Sequence, residues 1–431
     1  MPSYVKNVAL LLFRKAMIVA ICVFAGTALL AGSYFIPRKH IMNHVRESAV
    51  TLQTEGIGRY VWEDSSETIL DGHTDGLIVN EASTYDEDGL SDILLNPYVK
   101  VGETNPVNSL YETELLANPD YRIKYYGRYW HGYLAVIRPL LLVFNYTEIR
   151  HLLMMLQIFL VFVFCWMAAQ SDAVNVLIPF AAFWLFLSPV TLFGSLQYAP
   201  CFLVTMVMLI VLFGWKEKLD DRRREDLFLL AGIATAYFDL LTYPFVTLGV
   251  PLLFYLGTDR KCLLSVKHAL RSVFCLSLSW AGGYVAMWGS KWLIASLFTK
   301  ENIIADAVER VMVRSGHFSE SKSPGEVLRL SMQYMDGKRV FLIFLVSVIL
   351  IAGIRVKKHC PIRKETLPSL GIMLLVSLYS IAWYFAAMEH STAHGHFVWR
   401  EFGISIFGVL MMGAADLGKR EEDAGRQEIQ Q

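Results

Sequence analysis

Two aspartates, a handful of arginines and a run of histidines are the groups here that could move a proton or hold a phosphate. Asp71 and Asp75 lie in the Gly/Asp-rich stretch Asp71-Gly72-His73-Thr74-Asp75-Gly76. A carboxylate there can take a proton from an acceptor hydroxyl, although Asp-Gly pairs are turn formers first. Farther on, Tyr125-Tyr126-Gly127-Arg128-Tyr129-Trp130-His131-Gly132-Tyr133 leads into an apolar stretch that contains Arg138-Pro139. Projected as a helix, Arg128, His131, Arg138 and Asn145 fall within a sector of roughly 100°. That pattern predicts an interfacial anchor, or a lipid-phosphate cradle in which Arg128 and Arg138 offer forked donors.

Asp239, in Tyr237-Phe238-Asp239-Leu240-Leu241-Thr242-Tyr243-Pro244, falls near the end of an apolar run. A carboxylate is costly there unless it faces a cavity or a partner. The last polar turn, Glu389-His390-Ser391-Thr392-Ala393-His394-Gly395-His396-Phe397-Val398-Trp399-Arg400, alternates histidines with small residues. His390 and His394 are four apart, a zinc-ligand spacing on a helix face. Hydrogen bonding to a phosphate or sugar is an equal use for them, and Arg400 is a further phosphate candidate. A calcium loop is excluded at residues 71–82, because His73 and Ala82 stand where that loop needs an oxygen ligand and a bidentate glutamate. No metal ligand set is assigned. The cofactor stays open, with a divalent cation on one or both aspartates as the form it would take.

The elements that must position these residues are membrane helices. With 55% hydrophobic and 18% charged residues, the chain of 431 residues is too apolar for an ordinary soluble protein. Its formal net charge is zero, which argues against a nucleic-acid partner. The six cysteines lie in apolar runs or basic loops and form no CxxC pattern, so they read as packing thiols. Arg14 and Lys15 precede an apolar run over 16–36 that is longer than a cleaved signal core, which predicts an uncleaved signal anchor with a cytoplasmic N-terminus.

The segment 37–148 then becomes an extracytoplasmic loop, and its acidic first half, from Glu47 to Asp92, fits that side. Apolar runs at 149–169, 174–192, 201–215, 227–241, 245–256, 273–288, 340–354, 367–388 and 402–417 follow, with a second outer loop at 289–337. Every connection placed inside is basic, such as Arg222-Arg223-Arg224 and Lys357-Lys358. The expectation is an all-α polytopic membrane protein of about ten transmembrane helices. Amphipathic juxtamembrane helices sit in the first outer loop, a polar tail occupies 418–431, and both termini are cytoplasmic at a plasma (inner) membrane. No P-loop, GxSxG elbow or HExxH helix is present.

This plan resembles the GT-C class of integral-membrane glycosyltransferases. The shared features are an N-in first span, a large acidic outer loop, an aromatic and basic juxtamembrane segment before the second span, and a further outer loop after the seventh. The motifs that carry the likeness are Asp71-x-x-Thr74-Asp75, Arg128-Tyr129-Trp130-His131-Gly132-Tyr133, and His390 and His394 with Arg400. The chain is shorter than typical members, and its acidic pair lies well after the first span.

The resemblance implies a sugar carried on a polyprenyl phosphate, with a glycan, lipid or protein acceptor on the extracytoplasmic side. It casts Asp75 as the base with Asp71 as its partner. Arg128, Arg138 and Arg400 would stabilise the departing phosphate, with or without a divalent cation. His131, Asp239, His390 and His394 would shape the substrate site. The rival readings are a transporter or flippase, and a polymerase or ligase, of lipid-linked saccharides.

Overall fold

Helices begin in this chain where a polar cap meets an apolar run. The computed structural model describes residues 3–63, 65–84, 89–171, 174–299, 301–316, 322–415 and 417, with side chains from residue 9 onward. The acidic residues Asp64, Asp86, Glu87 and Asp88 and the tail 418–431 lie outside the described residues. The first helix, α1 (Ser3–Tyr34), gives way at Pro37 to α2 (Arg38–Glu55).

A small cap follows, made of α3 (Gly72–Ser83), α4 (Leu90–Leu95), α5 (Pro106–Glu114) and α6 (Leu134–Leu140). A two-stranded antiparallel ribbon, β1 (Tyr98–Val101) and β2 (Arg122–Tyr125), pairs Tyr98 with Tyr125. This ribbon is an addition to the expected all-α plan. The cap has its own core, in which α2, α3, α5 and α6 bury Val45, Leu52, Ile78, Val107 and Leu134.

The rest is a helical bundle. Its first half comprises α7 (Tyr146–Ala169), α8 (Leu177–Phe186), α9 (Pro189–Gly194), α10 (Ala199–Gly214), α11 (Asp221–Phe238), α12 (Val246–Thr258), α13 (Arg260–Leu264) and α14 (Val266–Phe298). The second half comprises α15 (Ile303–Arg314), α16 (Pro324–Met332), α17 (Gly337–Lys357), α18 (Leu367–Ser377), α19 (Tyr379–Ala386), α20 (Met388–Ala393), α21 (Gly395–Val398) and α22 (Gly403–Ala414). Asn145 and Glu148 form a reciprocal capping box at the start of α7. Asp220, Ser265 and Asp336 cap α11, α14 and α17 in the simpler one-way form.

Among the described residues, six helical stretches are long and apolar enough to cross a membrane: Ala9–Tyr34, Tyr146–Ala169, Leu196–Gly214, Gly337–Lys357, Lys364–Ala386 and Gly395–Ala414. Phe24, Phe162 and Phe341 stand exposed on three of them, where a bilayer and not water is the fitting solvent. Two further expected spans are shorter apolar helices, Val174–Phe186 and Val246–Thr258. The first is broken at Ser188, whose φ is 60°. The last two expected spans belong to α11, whose first turns are charged, and to α14, which runs ten residues past the expected end at 288.

The aromatic segment departs from its helical projection. Residues 126–133 are a turn, His131 has φ 54°, and helix begins only at Leu134, so Arg128 and His131 share no helix face with Arg138. Long-range bonds hold the turn open. The indoles of Trp288 and Trp292 both donate to the Arg128 carbonyl at 2.9 Å, and the Trp130 indole donates to the Met287 carbonyl at 2.6 Å. Likewise the Asp71–Gly76 stretch is not a free turn. It is the N-cap and first turn of α3, with Gly72 packed against the Gly56 backbone.

Candidate active site

The two aspartates of α3 face the same connector of the bundle and do different things there. Asp75 is fully buried. Its carboxylate accepts from the Tyr146 hydroxyl at 2.6 Å and from the backbone amides of Leu196 and Gln197 at 2.9 and 3.0 Å. Burial pushes its pKa up to about 7 against the pull of the Tyr146 bond, with the Asp71 charge adding to the rise. The role cast for Asp75 as base meets a carboxylate whose oxygens already anchor the cap to the bundle.

Asp71 is only 2% exposed, yet its bonding leaves more room. It caps α3 by accepting from the Thr74 amide at 3.0 Å and the Thr74 hydroxyl at 2.8 Å, while its own amide donates to Ser195 Oγ at 2.9 Å. Its Oδ2 also lies 3.8 Å from His396 Nε2. Burial works to raise the carboxyl, but His396 and the Thr74 bonds outweigh it and hold Asp71 below the usual aspartate value. Asp71 is therefore ionised at neutral pH. His396 keeps 24% of its side-chain surface exposed, which makes it the accessible partner.

Around this pair the turn between α19 and α22 gathers its imidazoles, tilted to one another. The ring centroids of His390 and His394 lie 4.7 Å apart and those of His394 and His396 lie 6.2 Å apart. His390 Nε2 is 2.7 Å from the Leu241 carbonyl, so only Nδ1 stays unbonded. Burial lowers His394 to about 4, with His396 adding to the effect, and pushes His390 well below its ordinary value. Both are neutral at pH 7. The Arg314 charge acts on both imidazoles, and its guanidinium donates to the Tyr129 hydroxyl. Through Tyr129 the aromatic turn thus reaches the histidines.

The other residues singled out by sequence are committed elsewhere. Arg138 is completely buried and donates to the carbonyls of Ser33, Ala82, Thr84 and Ile36, stapling α1 to the end of α3. Arg400 donates to the Leu187 and His396 carbonyls and to Thr191 Oγ1, and lies 4.0 Å from the centre of the Tyr198 ring. Arg128 pairs with Asp306 at 3.3 Å. His131 lies 2.6 Å from the Tyr133 hydroxyl and 2.8 Å from Glu81, in a separate buried network. Asp239 closes a turn by accepting from Thr242, whose neighbour Leu241 meets His390.

Sequence reasoning missed His396, Arg314, Ser195 and Glu81. His396 was within sight, in the same histidine run, but the i, i+4 rule selects 390 and 394. Helix α20 stops at Ala393 and α21 starts at Gly395, and this break changes which imidazole faces Asp71.

Beside the site runs an apolar groove of about 530 Å³, lined by Tyr133, Leu156, Leu196, Gln197, Leu203 and Phe238 among others. Leu156 is 44% exposed and Leu230 41%, so the groove opens on an apolar outer face of the bundle. Gln197, two residues after the Ser195 that binds the Asp71 amide, is part of its lining. Comparison with protein families, with curated proteins and with solved structures finds no match for this chain.

Proposed function

We propose that the protein is a GT-C-like membrane glycosyltransferase, which moves a sugar from a polyprenyl-phosphate donor to an envelope acceptor. In this reading about ten helices span the inner membrane, both termini are cytoplasmic, and the cap faces the extracytoplasmic side. One observation carries it. Buried, ionised Asp71 is paired with the more accessible His396 at the junction of cap and bundle, where the connector residues Leu196 and Gln197 also line an open apolar groove.

The chemistry follows from that pair. In this reading the Asp71 carboxylate, facing Nε2 of His396 from 3.8 Å, favours the tautomer protonated there and leaves Nδ1 as the basic atom. His396 takes the proton of the acceptor hydroxyl as that oxygen bonds to the anomeric carbon, and Asp71 stabilises the imidazolium that forms. The bond between the anomeric carbon and the phosphate oxygen breaks, and the leaving polyprenyl phosphate carries away the electron pair. Arg314 is the cation best placed to meet its charge, since it acts on His390 and His394 and its bonded partner among the described residues is the neutral Tyr129. Arg138 and Arg400, by contrast, are buried against carbonyls, and Arg128 pairs with Asp306. The isoprenoid chain lies in the groove. Asp71 and His396 thus take over the work that the resemblance gives to Asp75.

The test is release of polyprenyl phosphate from a panel of polyprenyl-phosphate hexoses by the purified chain in nanodiscs. The expected result is release that falls on the order of 100-fold or more in Asp71→Asn and His396→Gln, with Tm unchanged. Lipid-linked sugar moved across the bilayer without phosphate release makes the protein a transporter instead. Full activity in Asp71→Asn removes the pair from the chemistry.

A further inference from the structure

A second cluster lies at the far end of the same helices. Helix α12 starts next to Glu401, which accepts from the Phe245 amide, and ends at Asp259. Its 13 residues place Asp259 about 20 Å from that start. There the chain makes the short turn α13 and enters α14, and three side chains converge. One ligand atom each from Asp259, Cys262 and His268 lie within 4.8 Å of one another. Cys262 is buried and the other two are half-buried.

We infer that Asp259, Cys262 and His268 form a site for a zinc-type divalent transition metal, which clips the end of α12 to the start of α14.

The ligand chemistry suits that class of ion. Thiolate and imidazole select zinc and its neighbours over magnesium or calcium, and a carboxylate completes a three-ligand set with a fourth position for water. The geometry is one small movement away. Metal–ligand bonds of about 2.0–2.3 Å put tetrahedral ligands about 3.3–3.8 Å apart. The present spacing, up to 4.8 Å, closes by side-chain rotation, and His268 sits in the first turn of α14 with its ring half-exposed.

Asp259 is already oriented, because its Oδ1 caps α13 by accepting from the Cys262 amide at 2.9 Å, which leaves Oδ2 for the ion. The thiol meets Ser272 Oγ at 3.8 Å and also interacts with Tyr255 and Asp259, weak contacts that a metal–sulfur bond replaces. Charge also balances. Binding expels the thiol proton to solvent, and the doubly charged ion then sits with one thiolate and one carboxylate as a neutral unit. The site thus goes from the single negative charge of Asp259 to none, and the exposed Arg260, Lys261, Lys267 and Arg271 around the turn meet that one-unit change through water. The site is independent of the proposed transfer chemistry, and its readout needs no activity.

The experiment uses the tag-free full chain in detergent, stripped with chelator and titrated with cobalt(II) and then zinc. The expected result is one cobalt per chain, a thiolate-to-cobalt charge-transfer band, and displacement of the cobalt by zinc. Cys262→Ser abolishes the band. His268→Gln, which alters a half-exposed ring and leaves the core intact, weakens cobalt binding at least tenfold. Cys275→Ser, at the neighbouring thiol of the cleft that also contains His268, leaves the titration unchanged. Absence of a thiolate band in the folded chain overturns the site. So does wild-type affinity in His268→Gln, or loss of the band in Cys275→Ser.

Discussion

At the scale of single residues, two carboxylates one helical turn apart are set to opposite tasks by what they accept. Asp75 takes one hydroxyl and two backbone amides, so its Asn variant would turn an amide N–H toward a donor. Asp75→Asn should lower stability by about 3 kcal/mol, visible as a reduced Tm in micelles, while Asp71→Asn leaves Tm near that of the wild type. Equal Tm losses in the two variants would contradict this division. The histidines give a pH signature. The folded state holds His394 near 4 while the unfolded chain takes up its proton at about 6.5. Its contribution is therefore complete above pH 6.5 and is lost as pH falls toward 4. Asp75 works in the opposite direction over a similar range, because its folded-state pKa is raised. The comparison with His394→Gln isolates the imidazole. The wild type should lose on the order of 1–3 kcal/mol more than the variant between pH 7 and pH 4. Parallel pH–stability curves would refute it.

At the scale of elements, helices α11 and α14 form the most extensive pair in the bundle, and they approach backbone to backbone. A methyl group at Gly283 would collide with the Leu229 carbonyl, and one at Gly232 with the Trp280 carbonyl. Gly282, its neighbour, has open space. Gly283→Ala should therefore destabilise the fold by about 1–3 kcal/mol while Gly282→Ala is near neutral, as measured by thermal unfolding in the same detergent. Much of the element structure was legible in the sequence. Apolar runs bounded by charge gave the long helices, whereas the starts that Asn145, Asp220 and Asp336 cap were not marked by hydropathy. The aromatic turn was not legible, since what stops Arg128 from being helical is a pair of indoles 160 and 164 residues away. The candidate site was half legible. Asp71 and the histidine run announced themselves by residue type, but the pairing of Asp71 with His396 depends on a helix break that local spacing rules do not register.

At the scale of the whole molecule, cap and bundle keep separate cores, joined where α3 meets the connector 195–197 and where the aromatic turn meets α14. The groove begins beside the first junction. A bulky residue in its wall, Leu203→Trp, should expel lipid, read as loss of a co-purifying lipid by native mass spectrometry with the fold retained. Retention of the same lipid in that variant would show the groove to be unused. The latch between α3 and the connector also has a consequence for how the protein is made. Its hydrogen bonds join residues 121, 122 and 124 positions apart. At synthesis rates of about 5–20 residues per second, Asp75 leaves the ribosome roughly 6–24 s before the amides that will hold it exist. During biogenesis the cap must therefore wait unlatched, and a nascent chain stalled before Ser195 should present it to proteases that the finished protein resists.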